Sequence, residues 1–294
     1  MFCGEGRVTK PLALDTPLHV EQRWIAGLRA RGALWRLQRL VGMTHFCWQA
    51  AYDAFQRARP EVTPMEREAW LLQERYGPAI VQRIVALGHI QVLDREVTMP
   101  AQSELWDALI PVVEALVTLD VPYYIGGSVA SSVTGVARAT LDADLVAALR
   151  PQHAEPLAAL LLPHYYVDTE MMQSAVRRYS SFTVIHLTTM FKVAIFVSQD
   201  TPFARENMRR RIALEVPEIG QTLYICAPED TVLHKLLWYA AGSGVSDRQW
   251  YDLQGVLRLQ AHGLDLAYLQ HWGAVLGVGA LLQRALDETD LSSM

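Results

Sequence analysis

The stretch Tyr123-Tyr124-Ile125-Gly126-Gly127-Ser128, followed fourteen residues after Ser128 by Asp142-Ala143-Asp144-Leu145, constrains this chain more than any other. The apolar run Val121 to Ile125, β-branched and aromatic, reads as a buried strand. It ends in two glycines, where a backbone can turn sharply and approach a ligand closely. Ser128 then reads as the N-cap of a short helix through Val133, with its first free N–H groups pointing above the turn. After a second turn at Thr134-Gly135, Ala139 to Ala147 reads as another strand. Residues two apart on a strand share a face, about 6–7 Å apart along the chain. Asp142 and Asp144 are therefore expected side by side. Two such carboxylates repel unless a cation lies between them, and hard divalent ions prefer carboxylate oxygen.

A phosphate cradle facing a paired-acid metal site is the machinery of nucleotidyl transfer. The pattern Gly126-Gly127-Ser128, Ser131, Gly135, Arg138, Thr140, Asp142, Asp144 resembles the nucleotidyltransferase superfamily with the DNA polymerase β-like catalytic fold. It is most similar to small prokaryotic members, the minimal and toxin-associated (AbiEii-like) nucleotidyltransferases. The resemblance covers roughly Trp106 to Leu286. It implies an α/β (α+β) fold, a mixed sheet with flanking helices, and a cytoplasmic toxin–antitoxin setting. It also implies Mg²⁺ (or Mn²⁺) as cofactor and an NTP as substrate. Asp142 and Asp144 match the family's metal-binding, catalytic acids, and Gly126, Gly127 and Ser128 its phosphate-binding turn. Arg138, Thr140, Lys192 and Lys235 match positions near the nucleotide.

One match fails. The family's next strand reads Lys-Val-Asp-aliphatic-Phe, and here the run is Lys192-Val193-Ala194-Ile195-Phe196. Ala194 stands where the third catalytic carboxylate belongs. By strand parity it shares a face with Lys192, so no side chain there supplies the lost oxygen; Asp168 and Glu170 are the through-space substitutes. Removing a group that acts at the reacting centre commonly costs several powers of ten in rate. Two readings stay open: an impaired nucleotidyltransferase acting on a hydroxyl of tRNA, a protein or a small molecule, or a non-catalytic nucleotide-binding or antitoxin-like regulatory module.

At 294 residues, 51% hydrophobic and 19% charged, the chain is long and apolar enough to fold into one large domain or two small ones. The expected division is a helical N-terminal module over 1–97, a catalytic domain over 98–227 and a C-terminal helical region over 228–294. No apolar run reaches the length of a membrane span, and the N-terminus, with Glu5, does not read as a signal peptide. Cys3, Cys47 and Cys226 lie far apart without metal-ligand spacing and suit a reducing compartment. The net charge of −5 argues against strong duplex DNA binding. Residues 1–95 nonetheless carry +4 and the remainder −9.

Leu18 to Ala58 shows helical periodicity, with Arg29, Arg31, Arg36 and Arg39 on the polar side, either an RNA-facing row or a solvated face. Thr63-Pro64-Met65-Glu66 has the threonine cap and early proline of a helix start, and a further helix is expected over Ala79 to Leu87. Thr98-Met99-Pro100 reads as a linker. A helix over Glu104 to Leu119, capped by Ser103, and one over Ala154 to Leu162 flank the two central strands. Tyr165 to Asp168 reads as a short strand, Met171 to Arg177 as a short helix, and Phe182–Leu187 with Lys192–Val197 as a hairpin. Arg205, Arg209, Arg210 and Arg211 form the densest basic cluster, either a phosphate-contacting patch or an amphipathic helix face. Helices follow from Pro228, from Ser246-Asp247 and from Asp265. Asp247-Arg248 and Asp252 resemble an Arg-Asp-x-x-Asp helix of the toxin-associated members, with capping and ion pairing as the plainer role. His186 reads as a satisfied core histidine.

Overall fold

The computed structural model describes residues 12, 16–63, 66, 70, 73, 76–78, 80–82, 104–242 and 245–289. The expected boundary at 97, the Thr98–Pro100 linker, the Ser103 cap and most of the helix over 79–87 lie outside the described residues. The architecture is mixed α/β, with seven strands that pair in both parallel and antiparallel fashion. By contact the chain divides into two compact units, each assembled from separate stretches. The first comprises 1–40, 124–138 and 200–294, the second 41–123 and 139–199. No helix among the described residues is long and apolar enough to cross a membrane.

The chain opens with α1 (Leu18–Ala58), broken at Gly32 by a φ of 74° that glycine adopts without steric cost. Just beyond it, Glu66 accepts from the Thr63 backbone N–H at 3.0 Å while Thr63 Oγ1 accepts from the Glu66 N–H at 3.3 Å. The threonine cap read from the sequence is present, and Glu66 reciprocates it.

The second unit carries α2 (Glu104–Thr118), β2 (Asp142–Ala147), α4 (Pro151–Leu161), β3 (Tyr165–Val167), α5 (Thr169–Arg178), β4 (Ser181–His186) and β5 (Lys192–Val197). Its strands run in the order β3-β4-β5-β2, with β2 and β5 parallel and the other pairs antiparallel. Ala143, Leu145 and Ala147 of β2 are fully buried and alternate with half-exposed Asp142, Asp144 and Val146. That period of two fixes which face the acids occupy. The strand is shorter than expected: it begins at Asp142, so Ala139 to Leu141 form its lead-in.

The first unit carries β1's Tyr124 and Ile125 (β1 is Tyr123–Ile125), α3 (Gly127–Thr134), α6 (Pro202–Arg210), β6 (Ile212–Val216), β7 (Gln221–Ile225), α7 (Pro228–Ala241), α8 (Asp247–Gln260), α9 (Leu266–Val275) and α10 (Gly279–Glu288). Its strands run β1-β7-β6, with β1 parallel to β7. The sequence analysis assigns no element to 212–225; the structure places a hairpin there, turning through Pro217 to Gly220, whose φ is 64°. The core of this unit gathers Phe203 with Leu233, Leu236, Leu253, Leu257 and Leu269. A second cluster joins Ile25 and Leu28 of α1 to Val136 and Leu259.

Candidate functional site

The acidic strand belongs to the second unit. Asp142 pairs with Lys192 and Asp144 with Ala194 in the parallel register of β2 and β5, and Ala194 pairs onward with Thr183 of β4. Directly paired residues share a face, so Asp144, Ala194 and Thr183 form one row and Asp142, Lys192 and Ile185 the next. The side-by-side placement expected for Asp142 and Asp144 is present, and both are half-exposed. Lys192 Nζ stands 3.9 Å from Asp142 Oδ2, the two side chains 36% and 40% exposed. At such exposure an ion pair contributes about 0–1 kcal/mol, too little to keep a divalent ion from the carboxylate. Thr140 Oγ1 donates to the Asp142 carbonyl oxygen at 2.9 Å and lies 3.4 Å from Asp142 Oδ1.

The donor set decides what this face can hold. Magnesium keeps several waters and is bound through one or two carboxylates plus substrate phosphates. Two carboxylates, Asp142 and Asp144, are a donor set of the kind that fits one such ion. Of the two through-space substitutes, Asp168 caps α5, its Oδ1 accepting from Met171 N–H at 3.0 Å, and Glu170 lies in the exposed first turn of the same helix.

The glycine turn belongs to the first unit. Gly126, not Ser128, is the N-cap of α3, and it makes no side-chain cap bond. The expectation for Ser128 is corrected: it lies inside the helix, 6% exposed. Gly127 has a φ of 53°, which an L side chain would resist, and the helix starts two residues earlier than the serine suggests. Cys226 N–H donates to Ile125 O at 2.9 Å and fixes β1 as it enters that turn.

Arg138 and Lys235 meet on one acid. Arg138 Nε and Nη2 donate to the two oxygens of Asp252 at 2.8 Å each, and Lys235 Nζ donates to Asp252 Oδ2 at 2.7 Å. Burial pushes the Asp252 carboxyl up, but the Arg138 hydrogen bonds and the Lys235 charge outweigh it and hold it below its ordinary value. The plainer role weighed for Asp252, ion pairing, is what the geometry shows. Ser246 is the N-cap of α8, without a side-chain cap bond, and Asp247 is the first helical residue.

The arginines expected to face either RNA or solvent are largely engaged within the first unit. Arg36 is 5% exposed, and its Nε and Nη1 donate to Val133 O (2.6 Å) and Leu28 O (3.0 Å). Arg29 donates to Leu259 O and Arg258 O at the end of α8. Both satisfy carbonyls that helix ends leave without partners. In the α6 cluster, Arg205 pairs with Asp200, Arg209 with Glu206 and Arg210 with Glu229, while Arg211 lies over the Tyr224 ring. His186 is the buried histidine anticipated, 8% exposed, its Nδ1 2.9 Å from Thr189 Oγ1, and burial pushes its pKa down to about 4.

No protein-family model matches this chain, and no curated protein matches it. Among solved structures, that of an antigenic nucleotidyltransferase-like protein from Paracoccidioides brasiliensis is similar, with 17% sequence identity and a TM-score of 0.36, over 61% of this chain and 91% of that one.

Proposed function

We propose that this chain is a nucleotidyltransferase that binds an NTP through one Mg²⁺ or Mn²⁺ on Asp142 and Asp144, with transfer to a hydroxyl acceptor held back by the alanine at position 194. The observation that supports it is the register of β2 and β5: two acids share a half-exposed face, and the position beside Asp144 holds a methyl group. Bound there, the ion would offset triphosphate charge and favour the ionised form of an attacking hydroxyl. Asp142 and Asp144 do the holding. Lys192, 3.9 Å from Asp142, would release that carboxylate to the ion and turn to a phosphate oxygen. Arg138 and Lys235 are both committed to Asp252. The acceptor hydroxyl would belong to tRNA, a protein or a small molecule.

Calorimetric titration tests the binding step. Mg²⁺-dependent NTP binding is expected in the natural chain and absent from Asp142→Asn/Asp144→Asn; equal heats from both would end the reading. A second reading, a nucleotide-binding regulatory or antitoxin-like module, is favoured by the alanine itself. Installing Ala194→Asp separates the two. Transfer of label from NTP onto protein or RNA should rise at least about tenfold if the missing acid is what limits catalysis. No gain alongside retained binding would favour the regulatory module.

A further inference from the structure

The two strands of the acid face are gripped at their leading ends by side chains far upstream in the chain, before the stretch that carries the family resemblance. Thr44 of α1 is 1% exposed, and its Oγ1 accepts from the Thr140 backbone N–H at 3.1 Å. Thr140, also 1% exposed, passes the constraint on by donating to the Asp142 carbonyl at 2.9 Å. On the partner strand, the Tyr76 hydroxyl donates to Met190 O, and Tyr76 and Ile80 pack against Tyr166, Ile185 and Leu187. Met190 has a φ of 53°, a conformation disfavoured for any residue with a Cβ and kept only where the surroundings impose it. Thr140 and Met190 each stand two residues before the paired positions Asp142 and Lys192. The grips therefore fix where both strands enter the pair, and so the setting of the carboxylates that follow.

We propose that Thr44 and Tyr76 are positioning residues for the Asp142–Asp144 ion site, Thr44 through Thr140 and Tyr76 through the turn that launches β5. This rests on the ion-binding reading above. A ligand's own supporting contacts commonly matter tenfold or more to metal affinity, and a buried N–H stripped of its acceptor pulls the backbone toward another partner. Nothing in the local sequence marks either residue, since a threonine and a tyrosine in helical stretches carry no motif.

The test is Mn²⁺ binding by the full chain, read by electron paramagnetic resonance with a non-hydrolysable ATP analogue present, beside backbone amide exchange. Thr44→Val keeps the branched shape and removes the acceptor; Tyr76→Phe removes only the hydroxyl; Thr44→Ser restores the acceptor. Thr44→Val is expected to weaken Mn²⁺ about tenfold and to speed exchange over residues 140–144 while α7 exchanges as before. Tyr76→Phe should weaken it by a smaller factor, and Thr44→Ser should bind like the natural chain. Unchanged affinity in Thr44→Val, or failure of Thr44→Ser to restore it, overturns the proposal. So does faster exchange throughout the protein with full Mn²⁺ binding by the folded fraction, which would mark Thr44 as a stability contact alone. If Asp142→Asn/Asp144→Asn binds Mn²⁺ as the natural chain does, the ion site itself is wrong and both readings fall. If that variant loses the ion while Thr44→Val keeps it, only the positioning claim falls.

Discussion

Asp252 shows how one buried side chain can organise its surroundings. It is 2% exposed and receives three charge-assisted hydrogen bonds, two from Arg138 and one from Lys235, themselves 20% and 6% exposed. Removing one partner of a buried ion pair costs roughly 3–5 kcal/mol, because the partner left behind is charged and dehydrated. Asp252→Ala leaves two such cations, so urea denaturation should show a loss of at least that order. A loss below about 1 kcal/mol would mean that water already reaches the trio. On the acid face the balance is different, because Asp142 and Lys192 are both more than a third exposed. Lys192→Met should barely move the urea midpoint, yet tighten Mn²⁺ in the absence of nucleotide by freeing Asp142 of a competing cation. Weaker Mn²⁺ in that titration would show that the ammonium supports the ion site instead of competing with it. The acid pair was legible from spacing alone because strand parity is a local property. That Arg138 and Lys235 share an acid was not, since the three residues are 138, 235 and 252 in the chain and only folding brings them together.

At the scale of elements, α3 packs closely against α8 in the first unit. A methyl on Gly135 would stand 2.7 Å from Ser131 O and 2.8 Å from Val256 N, both backbone atoms that cannot swing aside. Gly135→Ala should therefore lower the unfolding free energy by about 1–3 kcal/mol, the usual cost of overpacking. Thermal denaturation checks it, and an unchanged melting temperature would mean that α3 and α8 can separate freely. The sequence marks Gly135 only as a turn; that it is also a packing requirement depends on α8, more than a hundred residues downstream. The register of β2 against β5 was legible in part. Parity placed Ala194 with Lys192, but the partner of Ala194 on the next strand is fixed by the sheet, which pairs it with Asp144. The β6–β7 hairpin went unassigned because four of the five β6 residues are half-exposed or exposed, leaving only a weak apolar alternation to read.

For the molecule as a whole, the buried titratable groups set the response to acid. His186 and His234 are held neutral by burial, each with its pKa pushed down to about 4. Asn207 donates its amide to Asp230 at 2.8 Å, so its oxygen faces His234 Nε2, also at 2.8 Å, and that nitrogen carries the proton. Unfolded histidines accept a proton near 6.5 while these two refuse it until about 4, so the unfolded state binds more protons in that window. Their stabilisation is complete above pH 6.5 and is lost as pH falls from there toward 4. Asp230 acts oppositely: burial outweighs its Tyr268 and Arg210 contacts and raises its pKa to about 6, so its carboxyl favours folding at low pH and loses that advantage as pH rises from about 4 to 6. Melting temperatures should therefore hold near pH 7 and fall as pH drops from about 6.5 toward 4.5, where Asp230 offsets only about one of the two histidines. His234→Gln, which keeps an N–H donor toward Asn207, should shrink the drop. A melting temperature flat across that range would show that neither histidine is neutral in the folded state.

The sequence by itself determined the elements and the chemistry-bearing pair. Helical and strand periods, glycine turns and the two-residue spacing of Asp142 and Asp144 are all read from neighbours along the chain, and local backbone geometry imposes them. Only the tertiary structure decided which distant groups share a partner: Asp252 with its two cations, Arg29 and Arg36 on helix-end carbonyls, Thr44 beneath the entry to the acid strand. Those choices turn on which buried polar groups meet, and a buried hydrogen-bonding group takes whatever partner the folded chain delivers, however far away it lies in sequence.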